Sequence, residues 1–75
     1  MEPYRDSDGD SGVVAYESGP DFIRVQFESG SVYLYTNESA GPSTISWMKN
    51  LAAGGAGLSA FIARHVRTKY ARRER

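Results

Sequence analysis

The chain has 75 residues and no cysteine, so it is expected to form one small domain without disulfides or thiolate metal sites. Its single histidine excludes a zinc site built on Cys and His, and no apolar run approaches the ~20 residues of a membrane helix. The formal charge is zero, yet residues 1–38 hold eight acids against two bases, and residues 39–75 hold seven bases against one acid. This asymmetry favours an anionic partner for the basic half.

The first twelve residues are polar and acidic, which predicts a mobile acidic N-terminal arm over residues 1–12. A calcium loop is the alternative, because four acids stand at positions 1, 3, 5 and 12 of its template: Asp6, Asp8, Asp10 and Glu17. Ser11 stands where the sharp turn of that loop needs glycine, and too few residues precede Asp6 for an entering helix. We therefore expect a solvated arm and no bound metal.

Three segments then predict an antiparallel meander. Residues 13–17 are rich in residues that favour strands, and residues 22–28 alternate between apolar and polar. The third strand covers residues 31–36 and contains Tyr33 and Tyr35. Turns are expected at the glycine and proline of residues 18–21 and at Gly30.

The turn before the third strand decides which face of the sheet carries the tyrosines. With a two-residue loop, Val25 lies opposite Leu34, and Tyr33 and Tyr35 point away from the core. With a three-residue loop closed by Gly30, Val25 faces Tyr33 and both tyrosines join the core. One residue of register separates the two arrangements, and we favour the interior one.

Two helices follow the strands. Pro42 suits the first position of a helix over residues 42–53, in which Ile45 and Met48 recur at helical spacing and Trp47 is expected to pack beside them. The glycines of residues 54–57 predict a hinge, with an anion cradle as the less favoured alternative. An amphipathic helix is expected over residues 57–70. The fold class is therefore α+β, a three-stranded antiparallel β-meander followed by two helices packed on one face.

These elements resemble the KTSC domain, in residues 23–35 (IRVQFESGSVYLY) and 61–70 (FIARHVRTKY). The resemblance covers residues 13–70, and leaves residues 71–75 as a basic C-terminal tail. The chain departs from the family pattern at residues 55–59 and at Ala63. The family occurs as a C-terminal extension of some lysyl-tRNA synthetases and as small stand-alone bacterial proteins. The resemblance thus implies an α+β fold and RNA, with tRNA among the candidates, as the ligand.

The basic residues of the last helix and the tail are the candidate nucleic-acid-binding set, since such side chains neutralise phosphates. The set consists of Arg64, Arg67, Lys69, Arg72 and Arg73. Tyr33 and Tyr35 join it as base-stacking residues if they lie outside the core.

Catalysis is not expected. His65 stands alone beside the apolar stripe, where a semi-buried structural role is favoured, and no serine lies in a nucleophile motif. We therefore expect a cytoplasmic, non-catalytic nucleic-acid-binding module without a cofactor or a membrane partner. The alternative is a protein-interaction module, as an inhibitor, an adaptor or a homodimer, that uses the uncovered sheet face or the acidic arm.

Overall fold

The computed structural model describes residues 1–6 and 12–75. Within them, five strands form one antiparallel sheet in the order β1-β2-β3-β4-β5. The strands are β1 (Glu2–Pro3), β2 (Val13–Ser18), β3 (Phe22–Phe27), β4 (Val32–Thr36) and β5 (Arg72–Arg73). The predicted α+β class with an antiparallel meander is confirmed, whereas the predicted number of three strands is too low.

Both additional strands come from the ends of the sequence and lie at the edges of the sheet. Pro3 pairs with Ala15 at one edge, and Arg73 pairs with Tyr33 at the other. Each edge strand has only two residues, too few to show an alternating pattern in the sequence. Short edge strands that carry proline or charge also protect a sheet from pairing with another chain.

The β3–β4 hairpin has the three-residue loop. Val25 lies opposite Tyr33, and Ile23 lies opposite Tyr35. The Phe27 N–H donates to the Ser31 carbonyl at 2.9 Å, and Gly30 has φ of +93°. Glycine adopts this positive φ without the steric cost that a Cβ would bring. Both tyrosines consequently lie on the same face of the sheet as Ile23 and Val25.

Three helices, not two, are present in the described residues: α1 (Asn37–Ala40), α2 (Pro42–Gly54) and α3 (Leu58–Phe61). The additional helix α1 begins at a capping box, in which Thr36 and Ser39 each bond the backbone of the other. Helix α2 ends at Gly55, which is left-handed and donates to the Leu51 and Ala52 carbonyls.

The last helix is shorter than the expected span of residues 57–70. Helix α3 continues as a π-helical segment, Ile62–Val66, and the Lys69 N–H then donates to the Val66 carbonyl in a turn. Beyond the turn, the Tyr70 ring packs edge-on against Tyr33, with ring centroids 4.8 Å apart. The helical segment therefore ends at Val66, and the chain beyond it forms this contact and the pairing of β5 with β4.

The helices cover one face of the sheet, and the core lies between the two layers. The sheet contributes Ile23, Val25 and Tyr35; the helical layer contributes mainly Ile45, Met48, Leu58 and Val66. No helix in residues 1–6 and 12–75 is long and apolar enough to cross a lipid bilayer.

The first residues of the chain also enter this core. Tyr4 is only 6% exposed, and its hydroxyl accepts a hydrogen bond from the Leu58 N–H at 3.2 Å. The Arg5 guanidinium donates to the Ala53 carbonyl at 2.7 Å. Residues 2–5, which the sequence assigns to the acidic arm, thus contribute a strand and hold the α2–α3 connection. Asp8 and Asp10 of the calcium alternative lie outside the described residues.

Candidate nucleic-acid interface

The five basic residues of the candidate set do not lie on one helix face. Arg64 is in the π-helical segment, Arg67 and Lys69 follow it, and Arg72 and Arg73 form β5. Successive residues of a strand point to opposite faces, so the side chains of Arg72 and Arg73 lie on opposite sides of the sheet. The sequence predicted a basic helix to residue 70 followed by a basic tail; the structure instead gives separate positions with different surroundings.

Arg72 belongs to an ionic chain across the outer face of the sheet. The Glu74 carboxylate accepts from Arg72 at 2.9 Å and from Arg24 at 2.7 Å, and Arg24 also donates to Glu17 at 3.1 Å. Leu34, the cross-strand neighbour of Arg24 and Arg72, is nearly inaccessible on this face. The outer face, which the protein-interaction alternative was expected to use, is therefore ionic.

The hydrogen bonds from Arg24 and Arg72 lower the pKa of Glu74 below its ordinary value. A carboxyl whose pKa is lower in the folded state contributes stability above its unfolded pKa, and this stability is lost as the pH falls through the folded pKa. The contribution of Glu74 is therefore present at neutral pH and declines on acidification below about 4.5.

We expect Glu74→Gln to lower the stability at pH 7 and to weaken the dependence of stability on acid pH. Urea unfolding midpoints at a series of pH values between neutral and acid measure both effects. Glu28→Gln is the matched control, because Glu28 is exposed and forms no ion pair within residues 1–6 and 12–75. A gap between parent and Glu74→Gln that stays constant down to the lowest pH would contradict this assignment.

A groove of about 590 Å³ lies between the β3–β4 hairpin and the chain that follows the π-helical segment. We call it the tyrosine groove and define it by Phe27, Tyr33, Arg67, Thr68 and Tyr70. The Tyr33 ring packs edge-on against Tyr70 on one side, and against Phe27 at 5.7 Å between centroids on the other. Edge-to-face packing of this kind holds aromatic rings in fixed orientations.

The two tyrosines of β4 have different surroundings in this groove. Tyr35 is 2% exposed, and burial raises its pKa to about 12, so it is a core residue that closes the bottom of the groove. Tyr33 is half-buried, and the Arg73 guanidinium lies 5.9 Å from its ring centroid. Arg73 also donates to the Ser31 hydroxyl at 3.1 Å, which holds its charge at the edge of the groove.

Tyr70 is the groove residue that the sequence reasoning missed as a site. The sequence placed it at the end of the amphipathic helix predicted over residues 57–70, yet 38% of its surface is exposed. The available signal was its position within the basic stretch of residues 67–73, since aromatic residues interleaved with cations are typical of single-strand nucleic-acid sites.

Three cations of the candidate set are exposed and form neither an ion pair nor a side-chain hydrogen bond within the described residues: Arg64, Arg67 and Lys69. Of these, only Arg67 lines the tyrosine groove.

The N-terminus of α3, where an anion cradle was the less favoured expectation, has its Leu58 N–H engaged, because this N–H donates to the Tyr4 hydroxyl. His65 is exposed and stacks on Phe61 at 4.7 Å between ring centroids, so its semi-buried placement was wrong.

No group of three or more His, Cys, Asp or Glu side chains within residues 1–6 and 12–75 could hold a metal ion. The lining of the tyrosine groove offers aromatic faces, hydroxyls, the Arg67 cation and the Glu28 carboxylate. No family model, no curated protein and no solved structure matches this chain. The resemblance of residues 23–35 and 61–70 to the KTSC domain thus stays a prediction from the sequence.

Proposed function

We propose that this protein is a non-catalytic module that binds single-stranded RNA in the tyrosine groove. The observation that carries the proposal is the combination of a partly exposed Tyr70 ring and an unpaired Arg67 in one groove. Single-strand binding sites combine aromatic faces, on which bases stack, with cations that follow the phosphate backbone. A stacked base contributes about 1–3 kcal/mol.

The two ring positions have separate roles in this proposal. Tyr70 offers the accessible ring, and Tyr33 holds it in place through their edge contact. Tyr35 is buried and acts only by supporting the other two. We therefore assign stacking to Tyr70 and place Tyr33 beside the stacked base. The sequence had assigned stacking to Tyr33 and Tyr35.

The cations fall into two groups. Arg67 and Arg73 lie at the groove and are proposed to contact phosphate directly. Arg64 and Lys69 lie outside its lining and contribute through longer-range attraction, which salt screens. Arg72 is held by Glu74 on the outer face, so its proposed contribution is the smallest of the five.

The KTSC resemblance supports the same ligand, since it implies RNA through the synthetase context. The alternative protein-interaction module was expected to use the outer sheet face or the acidic arm. The outer face carries the ionic chain from Glu17 through Arg24 and Glu74 to Arg72, and residues 2–4 of the arm are engaged in the sheet and with Leu58. The geometry favours RNA for this reason.

The test is a fluorescence-polarisation titration of labelled single-stranded RNA, duplex RNA and tRNA at two salt concentrations. We expect the single strand to bind most tightly. Arg67→Glu should weaken binding and reduce the salt dependence by a slope of about one. Tyr70→Ala should weaken binding by about 1–3 kcal/mol with little change in that slope.

Two matched variants complete the design. Arg64→Glu makes the same charge change outside the groove, and Trp47→Ala removes an exposed ring outside it. Circular dichroism of each variant establishes that it is folded. Equal losses for Arg64→Glu and Arg67→Glu would contradict a specific groove, and an absence of binding at low salt would contradict the function itself.

A further inference from the structure

A second groove, of about 430 Å³, lies between α2 and the last helix. We call it the Trp47 surface; its lining residues are Ser43, Thr44, Trp47, Phe61 and His65. Trp47 is 57% exposed, although the sequence predicted that it packs in the core. Ile45, Met48 and Ala52 already fill the core side of α2, which leaves the indole on the outside.

The exposed indole has an apolar neighbour. Phe61 is half-buried, and its ring stacks on His65 with centroids 4.7 Å apart. A single exposed apolar residue is ordinary on a protein surface, but an aromatic wall on each side of a groove is typical of an interaction site. The groove has room for an aliphatic or aromatic side chain between Trp47 and Phe61.

The charge around the Trp47 surface indicates the chemistry of the partner. The sequence from residue 39 to residue 73 contains no acid, so α2, α3 and the π-helical segment carry no negative charge. Arg64 directly precedes His65 of the lining in the π-helical segment. It is exposed and forms no ion pair within residues 1–6 and 12–75. A partner with acidic residues beside its apolar anchor complements this surface.

Two other occupants fit less well. A second copy that paired this surface with itself would bring Arg64 of each copy towards the other across a symmetric interface. A nucleic acid would find no Lys or Arg in the lining to meet its phosphates, whereas the tyrosine groove includes Arg67 in its lining.

From this geometry we infer that the Trp47 surface binds an acidic peptide segment of another protein, which inserts one apolar side chain between Trp47 and Phe61. The site is separate from the tyrosine groove, and the inference does not depend on RNA binding. Acidic flanks would speed the encounter, and the apolar anchor would supply most of the affinity.

The test begins with selection of a randomised peptide library on the immobilised protein, with Trp47→Ala as the counter-target. We expect enriched peptides with net negative charge and one Leu, Ile, Phe, Met or Trp anchor. Trp47 is the only tryptophan of the chain, so its own emission reports binding of any selected peptide that lacks tryptophan. Binding should be saturable and should shift that emission to shorter wavelength.

The same charge reversal beside each groove then separates the two grooves. Arg64→Glu should weaken the selected peptide about five- to tenfold, whereas Arg67→Glu, the matched control, should leave it unchanged. Trp47→Ala, whose fold is checked by circular dichroism, should weaken it by more than about tenfold.

Four outcomes would overturn the inference. They are a selection that enriches no peptide, enrichment of neutral or basic peptides, selected peptides that bind Trp47→Ala as tightly as the parent, and self-association in sedimentation that Trp47→Ala abolishes. Displacement of the peptide by RNA in the Arg67→Glu variant would also overturn it, since the Trp47 surface would then be a nucleic-acid site.

Discussion

Tyr4→Ala is expected to lower the free energy of unfolding by about 3–5 kcal/mol, the range for loss of a buried aromatic ring. Tyr4 is 6% exposed, and its hydroxyl is the acceptor for the first N–H of α3. A domain of this length has a total stability of roughly 4–11 kcal/mol. Removal of one ring from the N-terminal segment would therefore bring the protein close to unfolding.

A second variant separates the ring from its hydroxyl. Tyr4→Phe keeps the packing and leaves the Leu58 N–H without its acceptor, which should cost about 1–3 kcal/mol. Urea unfolding followed by far-ultraviolet circular dichroism measures both variants. The control is Trp47→Ala, in which a larger but 57% exposed ring is removed and a change within about 0.5 kcal/mol is expected. Parent-like stability of Tyr4→Ala would show that residues 1–5 are dispensable for the fold.

The role of Tyr4 illustrates what the sequence could not reveal. An isolated tyrosine among polar and acidic residues shows no periodicity that would indicate burial. The hydrogen-bond partner of its hydroxyl, the Leu58 N–H, lies 54 residues further along the chain. The same holds for β1 and β5, whose two-residue lengths carry no alternating pattern. Longer patterned segments such as 22–28 and 42–53 were predicted close to their observed positions, because each contains enough residues to define a face.

The sequence was compatible with two registers of the β3–β4 hairpin, and the structure shows one of them. Gly30 is compatible with either loop length, and only the cross-strand pairs, such as Val25 with Tyr33, distinguish them. The candidate site depended on the same question. The interior arrangement removes Tyr35 from the surface and makes Tyr70 the accessible ring.

The basic residues were predicted by type but not by arrangement. A helix to residue 70 would have presented Arg64 and Arg67 on one continuous surface, whereas the helical segment ends at Val66. The chain then turns into β5, where strand alternation separates Arg72 from Arg73. Helical periodicity alone could not foresee this, because the chain beyond Val66 packs Tyr70 against Tyr33, a residue far away in the sequence.

Tyr35 is the second position at which a large effect is expected. Its ring is 2% exposed in the centre of the core, so Tyr35→Ala should lower the free energy of unfolding by about 3–5 kcal/mol. Tyr35→Phe should change it by less than about 1 kcal/mol at pH 7, since no hydrogen bond to the Tyr35 hydroxyl is seen within the described residues. Urea unfolding at pH 7 measures both variants.

The same hydroxyl should make the protein sensitive to alkaline pH. Burial, with smaller contributions from Tyr33 and Tyr70, raises the pKa of Tyr35 in the folded protein from 10.0 to about 12. Between these values the unfolded chain releases the proton and the folded chain retains it, so stability falls as the pH rises. Tyr35→Phe removes this contribution, and its unfolding midpoint should decline less steeply than that of the parent over this pH range.

Tyr70→Phe is the control for the alkaline series, because it also removes a phenol but leaves Tyr35 in place. It should retain most of the alkaline loss, since burial is the main cause of the raised pKa of Tyr35. Equal slopes for the parent and Tyr35→Phe, together with a stable Tyr35→Ala, would indicate that Tyr35 lies at the surface. The two tyrosines of β4 would then face solvent, and base stacking would have to be assigned to Tyr33 and Tyr35 in place of Tyr70.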